Sequence, residues 1–426
     1  MYDLFSMKAF QFEKDFLWGT STAGHQIEGN NIYSNNWEDE QKRPVDKTGI
    51  YKPSGMACDH WNRIDEDIEL MKQIGAPAYR MSIEWSRIEP EEGRFDGKAI
   101  DHYLSELTKL KESGFTVFVT LHHFTHPLWF DKKGGFVNLD NRTYFERYLE
   151  KILPVYSPFV DGWNVFNEIN GGISTKACGF KLAIMRYHAL GYHLIKKYSD
   201  APVSTAHALV MREPQRRYDK FDSTMAEYRD CCENEFFFHA VRTGEVVLPF
   251  CDAYYDPDIK GSADYWAVNI YTRDMVDARH ADLSGKRYDH KALKMIPMDF
   301  YLEEFFPETV IHMLSRLTDK PVYITENGCS CLDDDWRIVW ITVYLSALHE
   351  ASRMGVDLRG YFYWSLMDNY EWTSFVPRFG LIDVNFDTFE RKLKKSAFFY
   401  RDIVKNNGFS PEILRKYLKK LPGRAE

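Results

Sequence analysis

No stretch of about 18 uncharged apolar residues occurs in the 426-residue chain, so the sequence offers no membrane-spanning helix. Basic charge is in deficit: 54 Lys and Arg stand against 63 Asp and Glu, a formal net charge of −9. A chain without a basic stripe lacks what neutralises phosphates, which argues against a nucleic-acid binder. Cysteine is sparse, seven residues scattered apart from Cys231-Cys232 and Cys329-x-Cys331, and that pattern is no disulfide framework. The opening MYDLFSMKAFQFEKDFLWG has no basic start followed by an apolar run and a small-residue cleavage site. A reducing cytoplasm is therefore the expected location. No repeat of fixed period, low-complexity block or Pro/Gly/Ser linker divides the chain, so residues 1–426 are expected to form a single domain.

What is abundant is apolar and aromatic: 44% of residues are hydrophobic, with 26 Tyr, 30 Phe and 11 Trp. That excludes a disordered chain and suits a protein that lines a pocket with ring faces. Short apolar, β-branched or aromatic runs recur at Phe16–Gly24, Pro77–Ile83, Thr116–Phe124, Asp161–Glu168, Ala201–Leu209, Tyr265–Tyr271, Pro321–Gly328 and Gly360–Leu366. Longer helical patterns separate them. In Asp59–Ile74, the residues Trp61, Ile64, Ile68, Met71 and, less strictly, Ile74 share one face; Gly75 follows as a stop and Pro77 opens the next strand. Ala99–Ser113, with Ile100, Tyr103, Leu104, Leu107 and Leu110, repeats the design before Gly114, and Thr143–Leu153 and Leu182–Tyr198 repeat it again. Eight strand–helix units imply an α/β fold, a (β/α)8 TIM barrel. Such a barrel needs about 250 residues, which leaves roughly 170 for elaborated βα loops at the C-terminal face.

In such a barrel, reactive groups project from the C-terminal strand ends. The fourth run ends in Asn167-Glu168 and the seventh in Thr325-Glu326-Asn327. Around them the first run contributes Gln26 and Glu28, the second Arg80 and Glu84, the third His122 and His123, the sixth Asn269 and Tyr271, and the eighth Trp364. The set is polar, aromatic and rich in carboxylate, without a phosphate loop or a nucleophilic Ser or Cys. Two carboxylates across an aromatic pocket suit glycosidic bond cleavage: one protonates the leaving oxygen, the other stabilises or captures the oxocarbenium-like centre. Their environments must push their pKa values apart, and Arg80 is placed to keep one of them ionised. A single strand-end Glu is more often structural than catalytic; two, each beside an Asn, shift the balance towards function, and spacing alone leaves both readings open.

These motifs resemble glycoside hydrolase family 1, the β-glucosidase family, from Phe16 to about Tyr400. FLWGTSTAGHQIEGN is similar to its opening signature and YRMSIEWSRIEPEEG to its second-strand motif. WNVFNE and YITENG resemble its acid/base and nucleophile motifs. GYFYWSLMDNYEW, RFGL and KLKKSAFFY resemble its C-terminal signature. The resemblance implies a retaining, exo-acting β-glycosidase without cofactor or metal. Its substrates would be small β-glucosides or short oligosaccharides, with β-galactosides or β-fucosides as further candidates; a homo-oligomer is compatible with it. It further implies Glu326 as nucleophile and Glu168 as acid/base, their carboxyl groups about 5–5.5 Å apart. Asn167 would bind the 2-hydroxyl, and Gln26, His123, Glu371 and Trp372 the other hydroxyls. Trp364 would form the platform, Tyr271 and Arg80 would orient Glu326, and Asn269 would support the network.

Several positions depart from the family pattern. Ile169 replaces the usual Pro after the acid/base Glu, Phe124 and Thr125 replace Trp and Asp, His25 replaces Tyr, and the stretch from Trp372 to Arg378 is one residue short, which leaves open whether Phe375 fills the aromatic wall. Glu371 would repel a 6-phosphate by like charge, which disfavours a 6-phospho-β-glucosidase. A transglycosylating enzyme of the same mechanism and a non-catalytic sugar-binding barrel are the rival readings. Adjacent strand residues face opposite ways, so His122 and His123 are not expected to share a metal. Cys329 and Cys331 are read as loop packing, Arg212, Arg216, Arg217 and Lys220 as a solvated basic face, and Phe236-Phe237-Phe238 as a helix packed on the barrel.

Overall fold

The computed structural model describes residues 3–43, 51–280 and 304–423. Eight parallel strands close into a barrel: β1 (Leu17–Ser21), β2 (Ala78–Ser82), β3 (Thr116–His122), β4 (Gly162–Asn167), β5 (Val203–Pro214), β6 (Trp266–Val276), β7 (Val322–Asn327) and β8 (Leu358–Trp364). Each pairs with its sequence neighbours, and β8 closes on β1. Each is followed by a helix that covers the barrel: α1 (His60–Ile74), α2 (Gly97–Glu112), α3 (Arg142–Tyr156), α4 (Thr175–Tyr198), α5 (Phe236–Thr243), α6 (Glu308–Leu314), α7 (Asp334–Arg353) and α8 (Lys395–Asn406). The TIM barrel expected from the sequence is the fold observed, and every expected strand coincides with a barrel strand.

The helix boundaries follow local chemistry. Gly75 ends α1 in the left-handed conformation, φ 74°, where a residue without Cβ is unstrained. The Asp96 carboxylate caps α2 by accepting from the backbone N–H of Lys98 and Ala99. Helix α4 starts at Thr175, capped by the Ser174 hydroxyl, earlier than the pattern from Leu182 predicts. Its first turns, TKACGFK, carry too little apolar periodicity to register. The Phe236–Phe238 run packs as expected, with Phe238 on Trp266 of β6 at 5.0 Å.

Strands β5 and β6 run past the barrel rim as a two-stranded arm, paired from Met211 with Arg273 to Pro214 with Val276. Ion pairs hold this arm: Arg212 meets Asp274 at 2.5 Å and Glu233 at 2.8 Å, and Arg273 meets Glu213 at 2.5 Å. The sequence pattern stops at Leu209 and Tyr271 because charge pairing, not apolar burial, carries the arm. The expected basic face holds in part: Arg217 and Lys220 are exposed, whereas Arg212 is drawn into the arm and Arg216 pairs with Asp222 at 2.7 Å.

Inside the barrel, the lower layer is aromatic. Phe118, Phe362, Tyr323 and Tyr265 meet ring to ring at 5.1–5.5 Å, and Ala78, Ala206 and Ala267 leave room for them. Above this floor the interior turns polar. Strand alternation is interrupted at the two strands that carry Glu168 and Glu326: the register slips between Asn164 and Asn167 against β5, and between Ile324 and Glu326 against β6. Such irregularities re-aim side chains next to functional sites.

Candidate active site

The slip on β4 turns Phe166 outward, onto Phe136 and Phe145 at 5.2 and 5.7 Å, and leaves Asn167 facing the interior. Glu168 follows with φ +47°, a conformation L-residues seldom adopt. Phe124 and Trp372 also have positive φ, 67° and 54°, and all three line one cavity of about 400 Å³. Strained backbone at a residue that lines a pocket points to a functional role there. A larger cavity, about 640 Å³, sits beside the same loop at Phe375 and Val376; neither Glu168 nor Glu326 borders it.

The smaller cavity is bounded by Gln26, His123, Phe124, Asn167, Glu168, Tyr271, Glu326, Trp364, Glu371, Trp372, Thr373, Ser374, Pro377 and Phe379. Every residue expected to touch a sugar is among them, and Arg80 and Asn269 lie buried beneath. Three other strand-end candidates fall elsewhere. Glu28 pairs with Arg87 at 2.6 Å, Glu84 accepts from Asn31, Thr125 and the His25 backbone, and His122 packs outward on Phe136 and Phe166. Glu28 lies just past a helical turn, Gly24–Ile27, so Gln26 and Glu28 diverge. His123 faces the cavity while His122 faces away, as alternation predicts. Phe375 meets the Tyr370 and Phe386 rings in tilted contacts, at 5.1 and 4.5 Å, instead of lining the cavity. Phe379, which sequence reading passed over, forms that wall and meets the Tyr271 ring edge-on at 6.5 Å. Its only sequence signal was its place in RFGL.

One hydrogen-bond network ties the polar groups together. The Arg80 guanidinium is buried and donates to Glu326 Oε1 at 2.5 Å and Asn167 Oδ1 at 2.6 Å. Tyr271 donates its phenol to Glu326 Oε2 at 2.9 Å. Asn269 Nδ2 donates to Asn167 Oδ1 at 3.0 Å and to Glu168 Oε1 at 2.8 Å, and its amide also bears on Glu326. Because Asn167 Oδ1 accepts two donors, its amide nitrogen is the end turned to His123 Nε2, 3.2 Å away. His123 therefore carries its proton on Nδ1, which has no partner among the described residues. Burial, with Arg80 nearby, holds that imidazole neutral, its pKa well below the ordinary value. Gln26 Nε2 donates to Asn369 Oδ1 and the Tyr370 carbonyl, and its buried Oε1 has no partner among the described residues. A sugar hydroxyl can satisfy either atom.

The carboxyl groups are set apart electrically. Glu168 touches pocket solvent but is enclosed on its other sides, and this desolvation, with the charge of Glu326, lifts it to about 7. Burial also raises Glu326, but Arg80, Tyr271 and Asn269 all pull it back. Two donors at Glu326, one of them the charged Arg80 guanidinium, against Asn269 alone at Glu168 place a shared proton on Glu168. Desolvation pushes Glu371 to about 8, opposed by the Trp364 indole N–H at 3.3 Å. At neutral pH Glu371 is largely protonated in the free site, so like-charge repulsion of a 6-phosphate is weaker than the sequence implies. What disfavours a phosphate is that, among the described residues, the cavity lining holds no lysine or arginine. Such an arrangement can donate a proton from one side and present an ionised carboxylate from the other.

Beside the site, Cys329 and Cys331 are buried with their sulfurs 3.8 Å apart, and Arg337 donates to both of their carbonyls. This is the loop packing expected of them. Gly328 lets the chain after β7 pass against β8, because a Cβ there would lie 1.6 Å from the Trp364 carbonyl oxygen.

The chain is similar to known proteins over nearly its whole length. The family model described as glycosyl hydrolase family 1 matches residues 8–409. Beta-glucosidase A of Acetivibrio thermocellus is 30% identical over 95% of this chain and 100% of its own. Among solved structures, a beta-glycosidase from Pyrococcus horikoshii superposes with a TM-score of 0.83 at 34% identity, covering 96% of this chain and 98% of that one. A beta-glucosidase from Thermotoga maritima in complex with deoxynojirimycin superposes at 0.82 with 27% identity, covering 94% and 100%.

Proposed function

Because the chain belongs to glycosyl hydrolase family 1, we propose that it is a retaining, exo-acting β-glycosidase, foremost a β-glucosidase, acting on small β-glycosides or short oligosaccharides. It works as a single barrel domain without a cofactor. Glu326 is the nucleophile: ionised under Arg80 and Tyr271, it attacks the anomeric carbon. Glu168 is the general acid and passes its proton to the glycosidic oxygen as the bond to the aglycone breaks, leaving a covalent glycosyl-enzyme. Glu168, now ionised, takes a proton from water; the oxygen of that water displaces Glu326 and the sugar leaves with its configuration retained. Asn167 meets the 2-hydroxyl, Gln26, His123, Glu371 and Trp372 the remaining hydroxyls, and Trp364 lies under the ring. The observation that carries this reading is the unequal support of the two carboxyls within one network, Arg80 and Tyr271 donating to Glu326 and Asn269 alone to Glu168.

The substrate range follows from the same pocket. A cavity of about 400 Å³ suits a terminal sugar and the start of its aglycone better than a polymer threading through, and β-galactosides and β-fucosides are secondary substrates. All seven cysteines are free, which supports a reducing compartment such as the cytoplasm. Among the described residues no helix is long and apolar enough to cross a membrane. The test is release of nitrophenol from β-linked gluco-, galacto-, fuco-, xylo- and 6-phosphogluco-sides, with Glu326→Ala as control. Activity on unphosphorylated sugars that vanishes in the variant is expected. Activity confined to the 6-phosphate overturns the substrate assignment, and silence from a folded protein favours a sugar-binding barrel.

A further inference from the structure

Asn269 stands between the two carboxyl groups, and its usefulness depends on which end of its amide faces them. Arg80 fixes one side. Its guanidinium can only donate, so Asn167 Oδ1 is an acceptor, and Asn269 must turn Nδ2 toward Asn167 Oδ1 and Glu168 Oε1. That leaves Asn269 Oδ1 buried and pointing away from the charges. The group that meets it is the hydroxyl of Thr325, at 2.7 Å. Thr325 is fully buried, precedes Glu326 on β7, and offers its carbonyl to Arg80 Nη1 at 3.4 Å. The register slip between Ile324 and Glu326 lets these consecutive residues serve the same interior, Thr325 through Asn269 and Glu326 directly.

We propose that Thr325 is a positioning residue: by donating to Asn269 Oδ1 it holds the amide so that Nδ2 stays on Glu168, and it thereby governs how tightly Glu168 keeps its proton. The inference rests on the reading of Glu168 as acid/base given above. A donor aimed at a carboxyl favours its ionised form. Without the Thr325 hydroxyl, Asn269 Oδ1 is a buried acceptor with no partner. The amide gains by loosening or turning over, and a turned amide accepts a proton from neutral Glu168 instead of donating to its anion. Both changes favour the protonated acid. The strand that carries one carboxyl thus tunes the proton affinity of the other across the barrel.

The experiment is the pH profile of kcat/KM on a β-glucoside with a poor leaving group, for wild type, Thr325→Val, Thr325→Ala and Thr325→Ser. Both variants lacking the hydroxyl should carry the basic limb to higher pH by about half a unit to one unit. Thr325→Ser should restore the wild-type limb. Thr325→Ala adds no methyl group in place of the hydroxyl, so it serves if Thr325→Val does not fold. Combining Thr325→Ala with Asn269→Ala should move the limb no further than Asn269→Ala alone. A basic limb at the wild-type pH in Thr325→Ala, with activity merely lowered, overturns the proposal. So does a Thr325→Ser profile that follows Thr325→Ala. Glu168→Gln separates the two levels of inference. If its basic limb on a dinitrophenyl glycoside disappears, the acid/base reading stands and the Thr325 result judges this proposal alone. If the limb persists, the acid/base reading itself falls.

Discussion

Neutralising Glu326 without changing its shape, as in Glu326→Gln, should lower the pKa of Glu168. Glu168 is held at about 7 by its enclosure and by the negative charge of Glu326. The charge component can be sized. Two carboxyls about 5.5 Å apart, the separation of a retaining pair, interact by about 3 kcal/mol at an effective dielectric of about 20. That corresponds to about two pKa units as an upper bound, and pocket solvent at Glu168 reduces it to about one. In wild type, the basic limb of kcat/KM should therefore fall near pH 7, with about one-tenth of the acid form left one pH unit higher. In Glu326→Gln, which does not turn over, carbon NMR of labelled glutamate carboxyls should place Glu168 about one unit lower. The proposed glycosyl-enzyme would reproduce this change chemically, because an esterified Glu326 carries no charge. Under that proposal Glu168 would shed its grip on the proton at the step where it must become a base. A Glu168 resonance that titrates at the same pH in both proteins would refute the coupling, and a wild-type basic limb above about pH 9 would refute the assignment of Glu168 as acid.

Further outcomes follow from other parts of the molecule. Glu168→Ala should lose about 10²- to 10⁴-fold in kcat/KM on alkyl glucosides and little on dinitrophenyl glucoside, whose leaving group needs no proton; equal losses on both would contradict the role. Phe379→Ala, which removes the wall against Tyr271, should weaken binding of a sugar-shaped inhibitor roughly tenfold, read by titration calorimetry. Gly328→Ala should cut soluble yield or disturb the Trp364 platform, since its Cβ has no room beside the Trp364 carbonyl; normal expression with wild-type kcat/KM would contradict the packing. His60 bonds Asp67 at 2.6 Å and Glu106 at 3.0 Å. Burial disfavours its charge, but the two carboxylates outweigh that and raise it to about 10. Its folded pKa exceeds its unfolded one, so its contribution is complete below about pH 6.5 and fades as pH climbs towards 10. His60→Gln should be destabilised by about 3 kcal/mol or more near pH 6, and the gap to wild type in chemical denaturation should narrow by pH 10.

The barrel was legible because its signals are local: eight apolar runs alternate with helical faces, and stops such as Gly75 act within a turn. The pocket was legible in its types of residue but not in their aim. Strict alternation along β4 would mis-aim Phe166 or Asn167, and only the register slips put Asn167 with Glu168, and Thr325 with Glu326, into one interior. No sequence periodicity announces a slip, since it depends on how a neighbouring strand is paired. Glu28, Glu84 and His122 show the converse. They have the right residue types at the right strand ends, yet a helical turn and outward packing assign them to Arg87, to Asn31 with Thr125, and to the Phe136 ring. The charged arm of β5 and β6 escaped detection for another reason, because cross-strand ion pairs carry it and a search for apolar runs cannot see them.

Three of the departures from the family pattern, at His25, Phe124 and Thr125, gather in one place. Thr125 donates to Glu84 at 2.5 Å, and Glu84 in turn accepts from the His25 backbone and from Asn31. His25 Nε2 meets Glu40 at 2.9 Å, Glu40 accepts from both the N–H and hydroxyl of Ser54, and the His25 ring lies parallel to Trp372 at 6.0 Å. Phe124 meets the edge of Trp372 at 5.0 Å. These substitutions therefore bear on the wall formed by Trp372 and leave untouched the contacts among Arg80, Asn167, Asn269 and Glu326. Charge placement inside the barrel tolerates little change, because Arg80 and Asn269 each donate to more than one acceptor there. A wall built from ring contacts and a buried His–Glu pair can be re-cut without disturbing those donors. Substitutions at His25 or Phe124 should accordingly alter the ranking of sugars while leaving the basic limb of the pH profile in place. A shifted limb in His25→Tyr would show that the wall and the charge network are one device.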